Sequence, residues 1–169
     1  MTGASRWIIQ NLDAAAKDHH RGFVINIKAV VVGETVIAVT NAKDPEVAGW
    51  DAYMTVLADH LNRRAGQPGR LVVFAGGGTP SSAMRLKLRQ VVEKRKLLTA
   101  VVTDSTVVRS IIGVFALFVD GTKPFNPRDW KDSLTYVGFP MENVSELVTA
   151  ARALDAEVGG SSALVALLK

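Results

Sequence analysis

The sequence predicts an α/β domain built on a mixed, mostly parallel sheet with helices packed against it. Three observations carry that expectation. Two apolar segments, residues 23–31 and 35–40, are separated only by Val32 and a Gly33-Glu34 turn and read as a hairpin. Two short continuous apolar runs, 71–75 and 97–103, have the composition of central strands covered on both faces. Each run is followed by a turn and then a helical pattern of apolar residues, the alternation expected of parallel strands joined by helices.

Taken in order, residues 1–22 place Trp7, Ile8, Leu12 and Ala15 at helical spacing, an amphipathic helix preceding the domain. In the first strand Phe23, Ile25, Ile27, Ala29 and Val31 alternate with Val24, Asn26, Lys28 and Val30, giving one strongly apolar face. Thr35 to Thr40 return as the second strand. Asp44-Pro45-Glu46 read as a helix start: a capping carboxylate, a proline at the first position and a negative charge in the first turn. Val47, Trp50, Met54, Leu57, Ala58 and Leu61 share one face of that helix, which closes at Arg63-Arg64-Ala65-Gly66.

The third strand runs into Gly76-Gly77-Gly78, and Thr79-Pro80-Ser81-Ser82 open a helix that buries Met84, Leu88, Val91 and Val92. Thr79 suits the cap and Pro80 the first position, where no N–H is needed. After the fourth strand, Asp104 or Ser105 caps a helix with Val108, Ile111, Ile112, Phe115 and Phe118 as its apolar stripe. Lys123-Pro124-Phe125 fit only a short edge strand, because Pro124 has no amide to donate. Asn126-Pro127 open a helix through Trp130, Leu134 and Val137, and Phe139-Pro140 lead to a last one with Val144, Leu147, Val148, Ala151 and Leu154 inward. The expected organisation is an N-terminal helix over 1–22, the α/β domain over 23–158, and a glycine-serine hinge with an apolar tail over 159–169.

At 169 residues, 48% hydrophobic and 21% charged, the chain is long enough and apolar enough for one folded domain. It has no cysteine, which excludes disulfides, thiolate metal sites and a thiol nucleophile and fits a reducing cytoplasm. No apolar run reaches the length of a membrane span, and the N-terminus lacks a signal-peptide core, so a cytoplasmic protein is expected. The net charge of +4 is mild. Arg85, Lys87, Arg89, Lys94, Arg95 and Lys96 cluster, but without interleaved aromatics they read as a solvated helix face rather than a nucleic-acid groove.

The glycine turn is the point of greatest interest. Strand, sharp turn and helix N-terminus bring backbone N–H donors and hydroxyls together, an arrangement suited to an anion or a partner. Gly76, Gly77, Gly78, Thr79, Ser81 and Ser82, with Asp104, Ser105 and Arg109 at the neighbouring turn, are the candidate binding residues. The lysine of a P-loop and the spaced glycines of a dinucleotide fingerprint are both missing. No serine elbow is present and no histidine follows His60, so a hydrolase triad is not expected. His19, His20 and His60 offer no convergent metal spacing and read as surface residues. Neither a metal nor another cofactor is expected. Leu164, Val165, Leu167 and Leu168 form the tail, which either covers a groove of its own domain or docks elsewhere.

With that order in hand, the chain resembles the STAS superfamily, in particular its divergent SEC14-like and anti-sigma-factor-antagonist-like bacterial members. The carrying pieces are the hairpin leading into Asp44-Pro45-Glu46 with Trp50, the Val73-Phe74-Ala75-Gly76-Gly77-Gly78 turn, and Ala100-Val101-Val102-Thr103-Asp104-Ser105 running into Val107-Val108-Arg109. The Ser133 to Gly138 segment is similar as well, so the resemblance spans about Phe23 to Leu154. It implies a non-enzymatic signalling module that binds protein partners. In antagonists a regulated hydroxyl opens the helix after a central strand, and Ser81 and Ser82, with Thr79 beside them, stand there. They are the candidate phosphorylation sites, although the family's Asp-x-Ser-Gly signature is absent. The alternative is a small-molecule module holding a phosphorylated or lipid ligand in the same crevice. Self-association through the tail or the N-terminal helix is a further expectation.

Overall fold

The computed structural model describes residues 25–116, 119–161 and 163. The expected N-terminal helix, His19, His20, Phe23, Phe118 and the tail residues Leu164, Val165, Leu167 and Leu168 lie outside them. Within them the α/β expectation holds. A hairpin, β1 (Ile27–Val32) and β2 (Thr35–Thr40), is followed by α1 (Val47–Arg63), β3 (Gly69–Ala75), α2 (Ser82–Val92), β4 (Leu97–Val102), α3 (Thr106–Phe115) and β5 (Thr122–Phe125). Short 3₁₀ turns at Pro127–Asp129 and Met141–Asn143 lead into α4 (Trp130–Val137) and α5 (Val144–Val158). Among the described residues no helix is long and apolar enough to cross a membrane.

The sheet order is β1-β2-β3-β4-β5, with β1 antiparallel to β2 and the other pairs parallel. Each crossover from β2 onward steps to the next position in the same direction. Right-handed crossovers repeated that way put every connecting helix on one face of the sheet. Accordingly Trp50, Met54 and Leu57 of α1 and Val92 of α2 pack on Val36, Ala38 and Leu71. Val108 and Ile112 of α3 meet Ala75 and Val101 on that face. The other face, Ile37, Val39, Val72, Phe74, Ala100 and Val102, is covered by Leu134 and Val137 of α4 and by Leu147, Ala151 and Leu154 of α5. Both faces of β3 and β4 are therefore buried, which is why these strands read as unbroken apolar runs.

Several details depart from the sequence reading. The edge strand β1 fully buries only Ile27 and Val32 at its ends; Ala29 and Val31 pack half-buried beside Ile27 on the expected apolar face, while Val30 and Val32 pack on the other. Helix α1 begins at Val47, and Asp44 caps nothing in it. Helix α2 begins at Ser82 with Ser81 as its cap, not Thr79, and fully buries only Val92. His60 is a buried residue, 2% exposed, not a surface one. It lies on α1, and its Nε2 accepts the Arg70 amide at 3.3 Å.

The Gly159–Ser161 stretch, expected as a hinge, is tied down. Gly159 ends α5 in the left-handed conformation. The amides of Gly160 and Ser161 donate to the Asp155 carbonyl at 2.9 Å and to its Oδ1 at 2.6 Å. Ser161 and Ala163 are both buried.

Candidate functional site

Because β3 and β4 are parallel neighbours, their C-terminal bends lie side by side, as the candidate site requires. Thr103 Oγ1 donates to the Ala75 carbonyl at 2.8 Å and stitches the two strand ends together. A Cβ added to Gly77 would come within 4.0 Å of Ser105 Oγ, so the glycine turn and the α3 cap face each other. All nine candidate residues thus belong to one rim. The rim is not, however, the ligand crevice of a strand-order reversal, since the order of these five strands never reverses.

Three of the donors expected to be bare, the amides of Gly76, Gly78 and Thr79, are in use. The Gly76 amide donates to the Thr40 carbonyl at 3.1 Å and to Thr40 Oγ1 at 3.2 Å. The Gly78 amide reaches the Asn41 carbonyl at 3.5 Å, and the Thr79 amide donates to Asp44 Oδ1 at 2.7 Å. Asp44, which the sequence suggested as a helix cap, is instead the carboxylate that fills the position an incoming anion would take.

The glycines have packing reasons as well. A Cβ on Gly76 would sit 2.8 Å from the Thr40 carbonyl oxygen, and one on Gly78 would sit 1.9 Å from that of Lys43. Gly77 adopts φ +132°, a backbone conformation that L side chains rarely take. The three-glycine turn is a joint pressed against the 40–44 loop.

The hydroxyls at the rim cap helices. Ser81 Oγ accepts the Met84 amide and Ser105 Oγ the Val108 amide, each at 3.3 Å. Ser82 Oγ pairs with Arg85 Nη2 at 2.9 Å, while Arg85 Nη1 donates to the Pro80 carbonyl at 2.7 Å. Ser81, Ser82 and Asp104 are exposed. Arg109 folds back instead of reaching outward, donating from Nη2 to the Thr103 carbonyl at 3.0 Å and to Asn126 Oδ1.

The polar residues that hold this rim shut were not singled out by sequence reading. Asn41, 8% exposed, donates from Nδ2 to Asn26 Oδ1 at 3.0 Å and to the Val158 carbonyl at 2.8 Å, and accepts the Lys43 amide at 2.9 Å. The Asn26 amide donates to the Glu46 carboxylate at 2.9 Å, and Asn26 Nδ2 to the Asp44 carbonyl at 3.0 Å. The available signal was Asn26 itself, an amide placed in the middle of an apolar strand. Asn41→Ala is expected to destabilise the protein by about 2 kcal/mol, since it strands buried partners on three elements. Chemical denaturation measures this, and a loss under ~0.5 kcal/mol would show that the clasp is dispensable.

Beneath the rim, between the sheet and the three crossover helices, lies a cavity of about 130 Å³. Its floor is Val73, Ala75, Thr99 and Val101, its walls Trp50 and Tyr53 of α1 and Val108, Ile111 and Ile112 of α3, and Leu88 of α2 closes part of the top. Trp50 Nε1 donates to the Met84 carbonyl at 3.1 Å and Lys87 pairs with Asp51 at 2.7 Å, tying α2 to α1.

Helix α3 is apolar on more than its inner face. Val107 and Val114 are each 58% exposed, and with half-buried Ile111 they fall at i, i+4 and i+7, one outward stripe. Among the described residues no group of three or more His, Cys, Asp or Glu side chains is placed to hold a metal ion. Compared with protein-family models, with curated proteins and with solved structures, the chain matches none.

Proposed function

We propose that this chain is a non-enzymatic, STAS-like interaction module whose docking surface is the outer face of α3 together with the exposed helix starts at Ser81-Ser82 and Asp104-Ser105. The observation that carries this reading is the Val107–Ile111–Val114 stripe. A helix face of this kind leaves apolar area in water unless another surface covers it. The partner is a protein that presents an apolar ridge or groove to α3 and polar groups to the rim. Recognition runs through exposed side chains, because the Gly76, Gly78 and Thr79 amides are already occupied.

Phosphorylation is the proposed control. Ser81 and Ser82 are exposed at the start of α2, and Arg85 stands 2.9 Å from Ser82 Oγ. A phosphate on Ser82 would gain a guanidinium partner and the positive end of the helix while setting a dianion at the edge of the apolar stripe. The reading of the rim as a phosphate-ligand crevice is weaker for the same reason that the amides are closed.

The test compares the full-length chain with a Val107→Asp/Val114→Asp double variant as baits in extract of the cell of origin. Both substitutions are at exposed positions, so the melting temperature should stay within a few degrees. A defined partner that the wild-type chain retains and the folded variant loses is the expected result. The same partners on both baits would refute docking on α3.

A further inference from the structure

The cavity has a property that packing alone does not explain. Tyr53 lines it and is 5% exposed, yet its phenol makes no hydrogen bond to any described residue. The Thr99 side chain, 7% exposed, lines the same space, and its hydroxyl likewise has no partner among the described residues. Among the described residues the fully enclosed side-chain atoms without a partner are Thr35 Oγ1, Arg109 Nε and Ser161 Oγ, so the Tyr53 and Thr99 oxygens are not sealed in and keep access to space that another molecule can enter. Burial pushes the Tyr53 phenol well above its ordinary pKa, so it stays protonated and acts as a donor.

From this we infer that the cavity between the sheet, α1 and α3 is a binding site for a compact, neutral, mainly apolar molecule with one hydrogen-bonding oxygen, of the phenol or short-chain alcohol class. The volume sets the size: an apolar cavity of about 150 Å³ accommodates benzene, so 130 Å³ suits a single ring or a chain of comparable bulk. The walls set the charge. Val73, Val101, Val108 and Ile112 offer nothing to solvate an ion, and an ionised head would be strongly disfavoured there. Pro80, Leu88 and Ile111 are among the lining residues that keep partial solvent contact, so the cavity is open to small molecules from solvent. The cavity shares Ile111 with the α3 stripe, but Val107 and Val114 do not line it, so the two readings are tested by different substitutions.

The probes are phenol and toluene, nearly equal in shape and differing in the oxygen. Each is titrated into the full-length protein carrying methyl-labelled valine, leucine and isoleucine, with binding read from the methyl signals of Val73, Val101, Ile111 and Ile112. Both should give saturable shifts confined to the cavity, with phenol binding at least as tightly as toluene. In Tyr53→Phe, phenol should weaken by about tenfold while toluene changes less than about twofold. If Tyr53→Phe does not fold, the wild-type ratio decides. Phenol binding more than about tenfold weaker than toluene is the behaviour of a cavity without a polar partner and overturns the inference. Absence of lining shifts with either probe overturns it as well, as does an unchanged phenol-to-toluene ratio in folded Tyr53→Phe.

Discussion

Gly78→Ala is expected to lower the unfolding free energy by about 3 kcal/mol, more than any other exchange of a single hydrogen for a methyl at the rim. The added Cβ would stand 1.9 Å from the Lys43 carbonyl oxygen and 2.5 Å from its carbon, and these atoms are backbone that cannot rotate away. Relief requires the 40–44 loop to move. That loop is held by the Thr79–Asp44 and Lys43–Asn41 hydrogen bonds, so the strain spreads into the whole clasp. Gly113→Ala is the opposite case. Gly113 is an exposed position inside α3 with nothing within 4 Å of an added Cβ, and alanine there should stabilise by about 0.5–1 kcal/mol. Urea unfolding of the two variants beside the wild type measures both effects. Equal small effects would mean that the glycine turn is not pressed against its neighbour.

The second large effect is a pH dependence centred on His60. Burial of the imidazole, with Arg64 and Arg63 close by, lowers its pKa to about 4, and Glu34 only partly opposes this. The folded protein therefore holds His60 neutral where the unfolded chain, with an ordinary value near 6.5, already takes up the proton. Stability from this residue is complete above about pH 6.5. It falls by ~1.4 kcal/mol per pH unit on acidification and is lost by about pH 4, for a total near ~3 kcal/mol. His60→Gln keeps an acceptor for the Arg70 amide and removes the titration. Its stability should change less between pH 6.5 and pH 4 than that of the wild type. Parallel pH profiles for the two proteins would contradict the burial of a neutral imidazole at this position.

The parts of this molecule legible in the sequence are those governed by local rules. The period-two and continuous apolar runs located the strands, Gly138 and Gly159 ended their helices in the left-handed conformation, and Pro124 marked the edge strand. The adjacency of the β3 and β4 turns was expected from the family resemblance rather than from the residues themselves, and the strand order has it. What could not be read was who pairs with whom over long sequence distances. Asp44 and Thr79 are 35 residues apart and Asn41 and Val158 are 117 apart, and no spacing rule links either pair. Asp44-Pro45-Glu46 looked like a helix start because such residues are common there. Tertiary partners instead claimed both carboxylates, Asp44 for Thr79 and Glu46 for Asn26.

The same reasoning explains His60. Its place on α1 at i+3 from Leu57 allowed burial, but only the fold supplies the Arg70 amide that makes burial acceptable. The cavity was invisible for a related reason. Met84, Leu88 and Val91 have the periodicity of a fully seated helix, and nothing local announces that α2 buries only Val92 completely while two contacts tie it to α1. Val107 and Val114, both exposed, lay outside the apolar stripe predicted for α3 and were given no role by the sequence reading.

The central physical claim is that the rim above β3 and β4 is a closed joint, so recognition rests on side chains beyond it. Titration of the ¹⁵N-labelled full-length protein with inorganic phosphate tests this most directly. The amide signals of Gly76, Gly78 and Thr79 should stay in place throughout, because their hydrogens are already donated to Thr40, Asn41 and Asp44. Saturable movement of those three signals together would show an open anion cradle and contradict the account.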